Sequence, residues 1–308
     1  MRIVSYNVRY FGHGLKGLAS TAKSKTKIAC AIARLEPLAD VVALQEVETR
    51  SIRSGVAHRG GLEKETQLEA FIRHLQTEFE RQGRPQPYRA TYFPAHVYQL
   101  GAVKLYTTGL AMLVNSQTLE VVGNNANEPF PITFHGSERL RKVKQTRIAA
   151  QLRLQDKQGR KFHVFNTHLS LPTPWTSEFW KQDVRMGFGQ NQVSEAKAVL
   201  QYAQSTAKDE PFIICGDFNS APTSPVYRYL TEQEKLHGAQ AVLKQIDASK
   251  ADSFSTAGFM RWRMHLDHVF GHGVEFIDLD GTRAFGDKES TFFGLSDHVP
   301  LITRFEMG

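Results

Sequence analysis

Phe212-Ile213-Ile214-Cys215-Gly216-Asp217-Phe218-Asn219-Ser220-Ala221-Pro222 decides the fold. Phe212 to Cys215 reads as a buried strand that runs into a glycine and then presents a carboxylate and a carboxamide two residues apart. In strand geometry residues i and i+2 point to the same side, so Asp217 and Asn219 are expected to face one spot. Turns also favour Asx residues, so the pair by itself allows a strand-then-turn reading as well as a polar site. What decides between them is whether other polar groups reach the same spot.

The chain of 308 residues is long enough to bury a substantial core without staples. Its 41% hydrophobic and 22% charged content is that of a soluble globular protein. Met1 leads directly into Arg2-Ile3-Val4-Ser5-Tyr6-Asn7, which reads as a strand, so no secretory signal is expected. No stretch reaches the roughly 18 apolar residues of a membrane span. A cytoplasmic setting is the expectation. The two cysteines, Cys30 and Cys215, read as small core residues, and no Cys/His spacing suggests structural zinc. A net charge of +7 favours polyanionic partners, and no protein partner can be inferred.

Residues 2 to 8 read as a strand, and Ile28, Ala31, Ile32 and Leu35 mark a helix from Thr21 to about Leu35 that Pro37 stops. Asp40 to Glu48 is a short apolar run of the kind buried on both faces. An exposed loop over 50 to 62 precedes a helix from Glu63 to about Gln82, with Leu68, Phe71, Ile72, Leu75 and Phe79 on one face. Tyr88 to Phe93, Gly109 to Val114 and Leu119 to Val122 read as strands, the last two joined by the turn Asn115-Ser116-Gln117. After a loop over 123 to 138, Lys142 to Leu154 is expected to pair with Lys161 to Leu169 across a turn at Asp156 to Gly159. Residues 171 to 192 form a long aromatic loop carrying Trp175 and Trp180. Val193 to Ser205 and Ser224 to Leu230 read as helices; Leu266 to Phe270, 274 to 280 and a last segment to about Phe305 read as strands. There is no internal repeat or convincing linker, so residues 1–308 are expected to form a single α/β domain with mixed, largely antiparallel sheets.

Six places share one grammar, an apolar strand ending in a polar group: Asn7, Glu46, His168, Asp217 with Asn219, Asp267, and Asp297 with His298. Each has a bland reading as a turn residue, a solvated strand end or a satisfied core histidine. Their recurrence argues for convergence, because a sheet gathers strand ends along one edge.

Ser5-Tyr6-Asn7, Leu44-Gln45-Glu46-Val47, Asn166-Thr167-His168-Leu169, Gly216-Asp217-Phe218-Asn219, Leu266-Asp267-His268-Val269 and Ser296-Asp297-His298-Val299-Pro300-Leu301 together resemble the endonuclease/exonuclease/phosphatase superfamily, in the family's order. The resemblance implies an α/β, four-layer sandwich: two packed mixed β-sheets flanked by helices, with the active site at one end. Locally, Leu44 to Thr49 and Gly216 to Tyr227 look most like the deadenylase-type and related phosphodiesterase branch. Arg9 stands where abasic-site endonucleases carry an acid, and the inositol 5-phosphatase signatures are missing.

The implied chemistry is metal-assisted hydrolysis of a phosphate ester, with Mg²⁺, or Mn²⁺ as a substitute, on hard oxygen donors. Glu46 is the principal metal ligand in this reading, with Asp297 and Asn7 completing or supporting the site. Asp217 orients or deprotonates the attacking water, and Asn219 holds the phosphate or a second metal. His298, partnered by Asp267, bonds a phosphoryl oxygen or protonates the leaving group. His168 is a second phosphate-facing imidazole, for which the sequence offers no obvious carboxylate partner. Arg147 matches a phosphate-contacting position, with a solvent-facing strand residue as the competing reading. Trp175 and Trp180 are candidates for stacking on bases or for pinning their own loop. A nuclease acting on DNA or RNA is the first expectation. A small-phosphate or lipid-phosphate esterase (sphingomyelinase-like or phosphoinositide-phosphatase-like) is the alternative, and a non-catalytic binding module a third.

Overall fold

The structure, a computed structural model, describes residues 1–11, 22–48, 66–100, 103–133, 146–172, 186–250, 254–259, 262–279 and 281–308. Six strands, β1 (Arg2–Asn7), β2 (Val41–Glu48), β3 (Tyr88–Leu100), β4 (Val103–Asn115), β14 (Val274–Asp278) and β15 (Leu301–Met307), form one sheet in the order β14-β15-β1-β2-β4-β3. A second sheet holds β5 (Leu119–Asn124), β7 (Ile148–Asp156), β8 (Lys161–His168), β9 (Phe212–Asp217), β10 (His237–Gly238) and β13 (Asp267–His272), in the order β10-β13-β9-β8-β7-β5, with β6 (Phe130–Pro131) on β7. Strands β11 (Ala257–Phe259) and β12 (Trp262–Met264) make a separate ribbon. The β1·β2 and β8·β9 pairs are parallel and the others antiparallel, a mixed pattern as expected.

Side-chain alternation on the strands produces the layers. Ile3, Val41 and Ala43 point into a central core shared with Val164, Ile213, Cys215 and Val269 of the other sheet. Their neighbours Val4, Val42 and Leu44 turn outward onto helices α1 (Ala22–Ala33) and α2 (Gln67–Arg81), meeting Ile28, Ile32, Phe71 and Leu75. On the far side Ile214 and Phe270 meet Val199, Leu200 and Ala203 of α3 (Gln190–Ala207). The result is helix, sheet, sheet, helix, with two short helices α4 (Pro225–Arg228) and α5 (Ala239–Val242) beyond β9.

Several boundaries differ from expectation. Helix α2 starts at Gln67, where Thr66 accepts a hydrogen bond from the Glu69 amide at 3.2 Å and Glu69 accepts one from the Thr66 amide at 2.7 Å. Strands β3 and β4 extend well beyond their expected segments and pair as one hairpin out to Leu100 opposite Val103. Pro94 does not end β3, because β3 is an edge strand and the register shifts between Pro94 and His96. The turn Asn115-Ser116-Gln117 carries the chain from one sheet to the other, since β4 and β5 lie in different sheets. Strand β7 begins at Ile148, with Thr146 and Arg147 outside it, and residues 142–145 of that expected strand lie outside the described residues.

Candidate active site

Strands β1, β8 and β9 end at Asn7, His168 and Asp217, as expected. The other polar positions reach the same edge differently. Asp267 opens β13, which is antiparallel to β9 and sets Asp267 opposite Asp217. Asp297 and His298 precede β15, which is antiparallel to β1. They therefore start strands that run the other way. Glu46 lies inside β2, at a register shift between Leu44 and Val47 and at φ 55°, and this bulge re-aims its side chain.

Asn219 also departs from the strand picture. Its φ of 47° takes it out of extended geometry, and its amide N–H donates to Asp217 Oδ1 at 3.0 Å. Its Nδ2 donates to the Leu169 carbonyl at 2.9 Å. The turn reading and the site reading of Asp217 therefore both hold, and Asn219 ties this turn to the segment that follows His168.

Asp217 is the hub. Asn7 Nδ2 donates to Asp217 Oδ2 at 3.0 Å and to Glu46 Oε1 at 3.2 Å. His168 Nε2 lies 3.4 Å from Asp217 Oδ2 and 4.0 Å from Glu46 Oε1, so His168 does have carboxylate neighbours, supplied by other strands. His298 Nε2 lies 3.7 Å from the same Asp217 oxygen, while its Nδ1 is 2.8 Å from Asp267 Oδ2. Arg147 lines a hollow with Glu46, Thr108, Thr146 and His168, which favours the site-facing reading of that arginine.

Burial sets the electrostatics. It opposes a charged imidazole at His298, but Asp267 and Asp217 outweigh it and push the pKa up to about 10. Burial, then the Arg147 and His298 charges, hold His168 well below the usual histidine range, so it is neutral. Asp217 is raised, by burial first and by Asp267, against the pull of His298. Glu46 is raised by burial, against the Asn7 hydrogen bond and the His298 charge.

Ligand atoms of Asp217, Asp267 and His298 lie within 4.8 Å of one another, close enough to hold a metal ion. Hydrogen bonding argues against it there, because Nδ1 of His298 is committed to Asp267 and a charged imidazole has no lone pair to offer. Glu46 is the better hard-oxygen donor: it is a carboxylate that no cationic side chain pairs with at close range among the described residues, and it lines the hollow with Arg147 and His168.

Three supports were not legible as site residues. Thr256 Oγ1 accepts the amides of Leu266 at 2.9 Å and Asp267 at 3.1 Å, so its own proton goes to Asp267 Oδ2 at 2.6 Å. Arg9 Nη1 pairs with Asp297 Oδ2. Gln45 Nε2 donates to Asn166 Oδ1 at 2.7 Å, and Asn166 Nδ2 to the Leu44 carbonyl at 3.0 Å, fastening the two sheets beside the site. Only Gln45 and Asn166 sat inside quoted motifs. Trp175 and Trp180 lie outside the described residues.

The family model described as Endonuclease/Exonuclease/phosphatase family matches residues 4–298, and the chain belongs to that family. Nocturnin of Homo sapiens is 27% identical over 179 residues, covering 53% of this chain and 37% of nocturnin, so the chain spans little more than a third of that relative's length. The human nocturnin catalytic domain with bound sulfate matches with a TM-score of 0.63 at 21% identity, over 100% of this chain and 93% of that one. ANGEL2, a 2′,3′-cyclic phosphatase, matches with a TM-score of 0.63 at 18% identity, over 99% of this chain and 94% of its own. These two structures attest the fold. The matches agree with the deadenylase-type texture of Leu44 to Thr49 and Gly216 to Tyr227. Among the described residues no helix is long and apolar enough to cross a membrane.

Proposed function

We propose that this chain is a nuclease that hydrolyses phosphodiester bonds in RNA or DNA with the help of a divalent cation, Mg²⁺ or Mn²⁺ in its place. The observation that carries the reading is His298 set between Asp267 at 2.8 Å and Asp217 at 3.7 Å, with Asn7 joining Asp217 to Glu46. That arrangement supplies a proton acceptor, a proton donor and a cation-binding carboxylate in one cluster.

Glu46, with Asp297 beside it and Asn7 in support, is the place for the cation. When bound, it neutralises charge and polarises a phosphoryl oxygen. Asp217, with its raised pKa, accepts a proton from the attacking water, help worth about 10²–10⁴-fold. The charged His298 ring donates from Nε2 to a phosphoryl oxygen or to the leaving oxygen, and Asp267 fixes its orientation. His168, neutral, and Arg147 donate to the phosphate from the other side. Asn219 holds the loop that follows His168.

Nucleic acid is favoured by what stands beside the cluster. Thr256 bonds Asp267 and Ala257 bridges His298, so the β11·β12 ribbon is rooted at the site. It carries Trp262, 64% exposed, next to Arg263. An exposed indole suits stacking on single-stranded bases, while the Arg263 guanidinium lies over the Phe285 ring at 5.0 Å; Trp175 and Trp180 are assigned the same role as Trp262. The match to ANGEL2, a 2′,3′-cyclic phosphatase, also fits an ester of this kind. We read residues 1–308 as one catalytic domain, because β1 pairs with β15 and so joins both ends of the chain. The free Cys30 and Cys215 suit a cytoplasmic setting.

A panel assay tests the reading: purified chain with Mg²⁺ or Mn²⁺ against single- and double-stranded RNA and DNA, a phosphodiester dye ester and phosphoinositides. Turnover of nucleic acid that EDTA abolishes is expected. Turnover insensitive to EDTA, or confined to phosphoinositides, contradicts it.

A further inference from the structure

Arg9 holds an unusual place. Arg9, Tyr10 and Phe11 have φ of 42°, 54° and 53°, three successive non-glycine residues in the left-handed region. Each such residue is strained and persists only where its surroundings hold it. Here they do. Val8 N–H donates to the Gln45 carbonyl at 3.2 Å, Phe11 N–H to the Val8 carbonyl at 2.9 Å, and the buried Phe11 ring stacks on Phe71 at 5.2 Å.

The turn delivers Arg9 to the cation site. Its backbone N–H donates to Asn7 Oδ1 at 2.9 Å, and its guanidinium pairs with Asp297 Oδ2. Asn7 Nδ2 is turned to Glu46 and Asp217, so the one Asn7 atom able to ligate a metal is the one that accepts from Arg9. Arg9 thereby engages two of the three groups assigned to the cation, Asn7 and Asp297. Glu46 is the member of the set that Arg9 does not touch.

We propose that Arg9 is a tethered cation occupying the Asp297 side of the metal centre, so that the chain takes a single divalent ion on Glu46. This rests on the reading of Glu46, Asn7 and Asp297 as a cation site. A guanidinium cannot lose its charge near neutral pH, so the competition with a second ion is permanent. Both it and a divalent ion seek the same carboxylate.

Binding is measured directly, apart from turnover: Mn²⁺ titration by the loss of its free-ion paramagnetic resonance signal, for the wild type, Arg9→Gln and Arg9→Lys, each checked by thermal melting. The wild type is expected to take one equivalent, Arg9→Lys to match it, and Arg9→Gln to bind about tenfold more tightly or to gain a second equivalent. A wild type that takes two equivalents, or a folded Arg9→Gln that binds like the wild type, overturns the inference while leaving the cation site standing. No binding by wild type or Arg9→Gln overturns the cation site itself and the inference with it. Should Arg9→Gln fail to fold, Arg9→Gly, which suits the left-handed turn, carries the same expectation.

Discussion

His298 Nδ1 donates to Asp267 Oδ2 over 2.8 Å, deep in the edge where the two sheets meet. That bond does two things at once. It fixes which face of the imidazole looks toward Asp217, and it keeps the ring charged despite burial.

Replacing Asp267→Asn removes the charge that holds the imidazolium and keeps the shape. The expected outcome is a fall in kcat of about 10²–10⁴-fold with KM for an oligonucleotide changed far less. Steady-state kinetics check it, and a kcat within threefold of the wild type contradicts the role given to Asp267.

Gly216 carries a second prediction. At φ +148° an added Cβ would lie 2.0 Å from the Thr167 carbonyl oxygen, on the strand that β9 pairs with in parallel. The backbone cannot yield there without breaking the β8·β9 register that sets His168 beside Asp217. Gly216→Ala is expected to lower stability by more than about 2 kcal/mol, read as an early urea midpoint. An unchanged midpoint contradicts the close approach.

Folding stability should also depend on pH through the buried imidazoles. His265, whose ring lies 4.7 Å from that of His268, is lowered to about 4 by burial, and His268 is lowered well below the usual range by burial and by His265. An unfolded histidine titrates near 6.5. Between there and the folded value the unfolded chain takes up protons that the folded chain refuses. The stability that the neutral rings contribute is thus present above about pH 6.5 and is lost as pH falls toward 4, by about 3 kcal/mol for His265. The raised Asp217 works in the opposite sense, so the comparison is with His265→Gln. That variant should lose less of its melting temperature between pH 7 and pH 5 than the wild type does, and an equal loss contradicts the assignment.

Much of this site was legible because strand ends and motifs are local. Gly216-Asp217-Phe218-Asn219 and Ser296-Asp297-His298 announce themselves in a few residues. The sequence could not say that Asn219 leaves the strand, because Asx residues suit both a strand end and a left-handed turn. It could not pair Arg9 with Asp297 or Thr256 with Asp267, because nothing local links positions that only the sheet edge brings together. The extension of β3 past Phe93 was hidden for a similar reason: Pro94 is tolerated because β3 is an edge strand, and edge position belongs to the topology.

The most direct measurement of the central claim is the turnover of a short single-stranded oligonucleotide in Mg²⁺ by wild type and His298→Ala, with binding followed in parallel by anisotropy in EDTA. The account predicts a fall in kcat of at least about a hundredfold with the dissociation constant changed by less than about threefold. A wild-type-like kcat in His298→Ala would contradict it.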